Sequence, residues 1–106
     1  MATDMRITTS GKVRNYVRFA LRELRPAEDR HARKASAVRL RAVGAAINKA
    51  VTVAEIVKRR LNGIHQVTTA ELLADDASSP ALSILLSTAP PPTSSPGYQP
   101  PADGTG

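Results

Sequence analysis

The 106-residue chain contains no cysteine and no tryptophan, and aromatic side chains make up only 3% of it. The missing thiols exclude a disulfide framework and any thiolate metal centre. No apolar run approaches the roughly 18 residues that a membrane span needs. The longest candidate, residues 81–86, is short and interrupted by Ser83. No segment of signal-peptide type opens the chain, where Asp4 and Arg6 precede polar Thr8, Thr9 and Ser10. The expectation is a soluble intracellular protein without a membrane partner. Beyond Arg60 there is neither lysine nor arginine.

What is present is positive charge, concentrated in the first part of the chain. All 15 basic residues lie between Arg6 and Arg60, and 11 of them are arginine, the cation best suited to phosphate. Residues 1–62 hold five acids against those 15 bases and carry +10; residues 63–106 hold four acids and carry −4. A face this basic attracts polyanions, of which nucleic acid is the commonest inside cells. Charge alone would also admit an anionic membrane surface as the rival partner.

Six of the eight prolines fall between Pro90 and Pro101, so residues 89–106 are expected to form a disordered, polyproline-like tail and residues 1–88 the folded domain. Residues 5–9 alternate and predict a strand, broken by Ser10-Gly11. Val13, Tyr16, Val17, Ala20, Leu21 and Leu24 recur at helical spacing and predict a helix ending before Pro26, with Arg14, Arg18, Arg22 and Arg25 as a second stripe. Val38, Leu40 and Ala42 alternate with Arg39 and Arg41, a second strand with one basic face. Ile47, Ala50, Val51, Val53, Ala54, Ile56, Val57 and Leu61 predict a second helix. Its apolar surface is wide enough for the sheet and another subunit. Residues 64–73 and 81–88 predict two more strands, joined by turn-rich residues 75–80. The order is βαβαββ, a two-layer α/β sandwich with both helices on one face of a four-stranded mixed sheet.

No catalytic constellation is visible. His31 and His65 have no second ligand at metal spacing, Ser10, Ser36 and Ser83 have no adjacent His–acid pair, and Asp75-Asp76 suits a turn. The glycines at 11, 44 and 63 are isolated and make no phosphate loop. The reading is a protein without enzymatic activity, cofactor, metal or small-molecule substrate. Binding features are stronger. Ser10-Gly11-Lys12 stands where a strand turns into a helix, so its backbone N–H groups and Lys12 suit a phosphate. A plain cap by Thr9 or Ser10 is the alternative there. Val43-Gly44-Ala45 opens the second helix in the same way with Lys49 one turn in, and Lys58-Arg59-Arg60 closes it. Both helix starts follow parallel strands and are expected side by side at one sheet edge. Tyr16 falls on the apolar stripe, and Phe19 lies off it as a candidate partner contact.

RITTSGKVRNYV at residues 6–17, RAVGAAINKAVTVAEIVKRR at 41–60 and GIHQVTT at 63–69 together resemble the Alba family, most closely its eukaryotic plant- and alga-type members. The similarity spans about residues 5–88. The family fold is a βαβαββ sandwich similar to the C-terminal domain of a bacterial translation initiation factor. The resemblance implies a dimeric, non-enzymatic binder of RNA or DNA. It also implies an alternative, a structural subunit of a ribonucleoprotein of ribonuclease P/MRP type. Carried over by position, Lys12 looks like the backbone-contacting lysine of the strand–helix turn, Asn48 and Lys49 like the polar–basic pair opening the second helix, and Lys58 and Arg60 like its basic end. Leu61 matches a bulky apolar position of contacts between dimers. Three departures stand out: Val43-Gly44-Ala45 replaces an Arg-Gly-Arg pattern, the last connection is short and acidic, and an arginine- and glycine-rich tail is absent.

The expected nucleic-acid contacts are therefore Lys12, Arg14, Arg41, Asn48, Lys49, Lys58 and Arg60, binding RNA ahead of DNA through phosphates with little sequence specificity. Val53, Val57 and Leu61 are the expected partner contacts, in a homodimer or in a heterodimer with a related Alba-type chain. The expected compartment is the nucleus, the cytoplasm or both.

Overall fold

The computed structural model describes residues 2–24, 37–73, 76–88 and 97–101, with the side chain of residue 2 and those of residues 71–79 left aside. Strand β1 (Ala2–Ile7) leads to helix α1 (Val13–Leu24), and β2 (Ala37–Val43) leads through one 3-10 turn (Gly44–Ala46) to α2 (Ile47–Arg60). Strands β3 (His65–Leu73), β4 (Asp76–Ser87) and β5 (Tyr98–Gln99) complete the described elements. The sheet order is β1-β2-β4-β3-β5. Only β1 and β2 are parallel, the pairing that needs a crossover, and α1 supplies it. The other three pairings are antiparallel. No helix among the described residues is long and apolar enough to cross a membrane.

Alternation on β2 fixes which face of the sheet is covered. Val38, Leu40 and Ala42 are buried, while Arg39 is half-buried and Arg41 and Val43 are exposed. Ile7 from β1 and Ile84 and Leu86 from β4 join the buried set. Val17, Ala20, Leu21 and Leu24 of α1 and Ala50, Val53, Ala54 and Val57 of α2 close over it. Alanines at 20, 50 and 54 let the helix backbones approach the sheet closely. Truncating Leu24 or Leu40, both fully buried, to alanine costs about 2–5 kcal/mol. Glu23 is also buried, and its carboxylate accepts the Thr3 hydroxyl at 3.1 Å, fastening the end of α1 to β1.

Three expectations are corrected. The sheet has five strands, not four, because Tyr98–Gln99 within the proline-rich segment pairs with β3. Gly97 makes that return possible. Its φ is +75°, and a Cβ there would collide with the Thr68 carbonyl, whose own N–H donates to the Gly97 carbonyl at 3.2 Å. Residues 89–96 and 102–106 of the expected tail lie outside the described residues. Second, β4 starts at Asp76, so the turn-rich stretch from residue 76 to 80 is strand. The register jumps from Leu72↔Pro80 to Leu73↔Asp76, an irregularity where Pro80 can sit without breaking a regular ladder. Third, Val53 and Val57, expected as partner contacts, are fully buried inside the chain's own core. The wide apolar side of α2 is spent on the sheet and on α1, and the valine it leaves in the open is Val51, 41% exposed. Leu61 is half-buried and packs against the same core. Residues 25–36, with Arg25, His31 and Ser36 among them, lie outside the described residues.

Candidate nucleic-acid interface

The turn between β1 and α1 is held from two sides. The Thr8 N–H donates to the Tyr16 hydroxyl at 3.0 Å, the two hydroxyls of Thr8 and Tyr16 lie 3.1 Å apart, and the Gly11 N–H donates to Thr8 Oγ1 at 3.2 Å. From α2, Lys49 Nζ donates to the Thr9 carbonyl at 2.6 Å and to the Gly11 carbonyl. Gly11 has to be glycine for a packing reason, since a Cβ would overlap the Tyr16 phenol. Hydrogen bonding with Thr8, through side chain and then backbone, lowers the Tyr16 pKa below 10.0; burial opposes this and the Lys49 charge assists it. The Lys12 carbonyl accepts the Asn15 and Tyr16 N–H groups at 3.0 and 3.2 Å and so opens α1. Lys12 itself is exposed, and its amine has no hydrogen-bond or ion-pair partner among the described residues.

Beside this turn, on the uncovered face of the sheet, the ends of β1 and β2 form a cleft of about 640 Å³ lined by Asp4, Arg6, Thr8, Thr9, Arg41 and Val43. Register places Arg6 directly opposite Arg41, and Asp4 opposite Arg39. Asp4 and Arg39 make an ion pair at 3.5 Å between half-exposed side chains. Arg6 and Arg41 have no such partner among the described residues. Two like charges directly opposite each other on neighbouring strands repel. An anion seated between them removes that repulsion and gains two charge-assisted hydrogen bonds.

The structure thus gathers Lys12 and Arg41 near one end of the sheet and adds Arg6, which sequence reasoning passed over. The signal was there: if Ile7 points into the core, Arg6 must share the outer face with Arg39 and Arg41. The other expected contacts go elsewhere. Lys49 is committed to two carbonyls, and Lys58 Nζ donates to Gln66 Oε1 at 2.9 Å and Gln99 Oε1 at 3.3 Å. Arg14 and Arg60 face a groove between the helices. Asn48 is exposed, and its carbonyl accepts the Thr52 hydroxyl at 3.0 Å. At the far edge, His65 Nδ1 and the Tyr98 hydroxyl are 3.0 Å apart and their rings stack with centroids 5.9 Å apart. No group of three or more acids and histidines among the described residues is placed to hold a metal ion.

The Alba family model matches residues 3–72. The chain is 34% identical over 116 residues to "DNA/RNA-binding protein ALBA1" of Plasmodium falciparum (isolate 3D7), covering 94% of this chain and 44% of that protein. It is 35% identical over 116 residues to "Ribonuclease P protein subunit p25-like protein" of Mus musculus, covering 92% of this chain and 68% of that one. Among solved structures it resembles ALBA1 from Trypanosoma brucei, with a TM-score of 0.64 and 22% identity over 82% of this chain and 70% of that chain; this likeness concerns the fold alone. The chain spans less than half the length of the Plasmodium protein. With the family model matching well over half of the sequence, and with the element order and sheet already described, the chain belongs to the Alba family.

Proposed function

We infer that this chain binds nucleic acid through the phosphate backbone, as one half of an Alba-type dimer, with RNA ahead of DNA and little sequence specificity. The observation that carries the reading is the unpaired Arg6–Arg41 couple on the open sheet beside the unengaged Lys12. A relative named as DNA/RNA-binding supports it. Phosphate contacts orient a protein without reading bases, and nothing in the cleft offers a base-specific pattern. No step of this function requires catalysis.

The test is fluorescence anisotropy with single-stranded RNA, duplex RNA and duplex DNA across a salt series. Three phosphates engaged on a single strand give a log–log slope of about −2. Charge reversal of Arg6 or Lys12, with the fold verified by circular dichroism, should weaken all three ligands together. Salt-insensitive affinity, or full binding by both variants, refutes the reading. The kinship with proteins named as ribonuclease P subunits supports a second reading, a heterodimer subunit of a ribonucleoprotein. That reading expects weak RNA binding by the isolated chain and strong binding once a related chain is added.

A further inference from the structure

The groove between α1 and α2 has no part in the phosphate cleft, and its chemistry differs. It encloses about 540 Å³, with Val17, Leu21 and Ile56 on its floor and Arg14, Arg18, Arg22 and Arg60 on its rim. None of these arginines has a carboxylate in ion-pair range among the described residues. The one acid of α1, Glu23, is turned inward onto Thr3. Arg14, Arg18 and Arg22 are four residues apart, so they rise along one bank at about 6 Å per step. Arg22 lies over the Phe19 ring, 5.6 Å from its centroid, which restrains its guanidinium.

We propose that this groove is the docking surface for an acidic amphipathic helix of a partner protein. The occupant carries an aliphatic side chain on successive turns and a carboxylate beside each. Such a helix repeats its carboxylates with the same one-turn pitch as the arginine bank, so the pairs form together. Its aliphatic side chains take the floor, the helix-in-groove mode of recognition. A nucleic acid fits the same charges but not the floor: its backbone brings no apolar groups, and the lining offers no aromatic ring to stack a base. A second copy fits worse, since the exposed or half-exposed ionisable groups of α1 and α2 include Arg14, Arg18, Arg22, Lys58, Arg59 and Arg60 against the single acid Glu55. The inference stands independently of the nucleic-acid reading, because the phosphate cleft uses other residues.

The experiment is methyl NMR on the full chain, titrated with a synthetic helical peptide bearing leucine on three successive turns and glutamate beside each. The same peptide with glutamine for glutamate is the control. The glutamate peptide should shift the Val17, Leu21 and Ile56 methyls. The R18E/R22E variant should bind it about tenfold more weakly, the factor that two exposed charge pairs supply, with its RNA affinity unchanged. An R18Q/R22Q variant carries the same test should charge reversal prevent folding, with a smaller loss expected. Equal binding of the glutamine peptide, or no shift at the three methyls, overturns the proposal. Single-stranded RNA shifting those methyls in the peptide's place also overturns it, by making the groove part of a nucleic-acid path.

Discussion

Lys49→Met separates two roles that a lysine at a helix start can play. In the structure its amine donates to the Thr9 and Gly11 carbonyls and thereby ties α2 to the turn that presents Lys12. Hydrogen bonds from a charged group contribute about 1.5–3 kcal/mol when buried. Here the site is partly open to water, and the freed carbonyls can be rehydrated, so the loss should be about 1–2 kcal/mol for the pair. For a domain of this size that lowers Tm by about 5–10 °C. Urea or thermal unfolding followed by circular dichroism reads it directly. The RNA affinity should fall because Lys12 is held less firmly, while the salt slope stays where it was, since no phosphate contact is removed. The opposite pattern would refute the reasoning: an unchanged Tm together with a slope shallower by about 0.7 would make Lys49 a phosphate ligand in solution.

Gly11→Ala should destabilise the fold and weaken RNA binding, because the new methyl drives the Tyr16 phenol off Thr8; in a Tyr16→Leu background the same substitution should cost far less, a coupling that a double-mutant cycle measures. The Tyr16 phenol should titrate below 10.0 by NMR. Its ionised form is favoured in the folded state, so between the folded pKa and 10.0 the unfolded chain binds the extra proton. Stability from this group should therefore be fully present above pH 10, be lost as pH falls through the folded value, and vanish from the pH profile of Tyr16→Phe. Gly97→Ala should detach β5 with little change in global Tm, read as faster hydrogen exchange at the Thr68 amide and loss of the Tyr98–His65 contact.

The elements with strong internal period were legible in the sequence. The apolar spacing of residues 13–24 and 47–61 and the alternation on β2 marked two helices and a strand to within a residue or two, because each element buries one regular face. What escaped was contact between distant segments. Nothing local tells that Gly97-Tyr98-Gln99 will return to β3, since its hold comes from Thr68, His65 and Lys58, all reached across the fold. Lys49 and Lys58 read as free cations for the same reason: the Thr9 and Gly11 carbonyls and the Gln99 amide are far away in sequence. Val53 and Val57 illustrate a different ambiguity. An apolar residue on a helix shows that it will be covered, not whether its own sheet or another chain does the covering. Tyr16 falls on the apolar stripe, yet its hydroxyl serves the turn while its ring packs below.

The two-residue strand β5 has a consequence for colloidal behaviour. An uncapped β3 would offer a row of outward peptide groups on which foreign strands could grow, the usual seed of fibrous aggregates. Tyr98 and Gln99 occupy the start of that row, opposite Val67 and Gln66, and Pro100 and Pro101 follow at once, without N–H groups to pass the ladder on. A strand so short and so bounded recruits no successor, and the edge of β3 is closed where it runs through Gln66 and Val67.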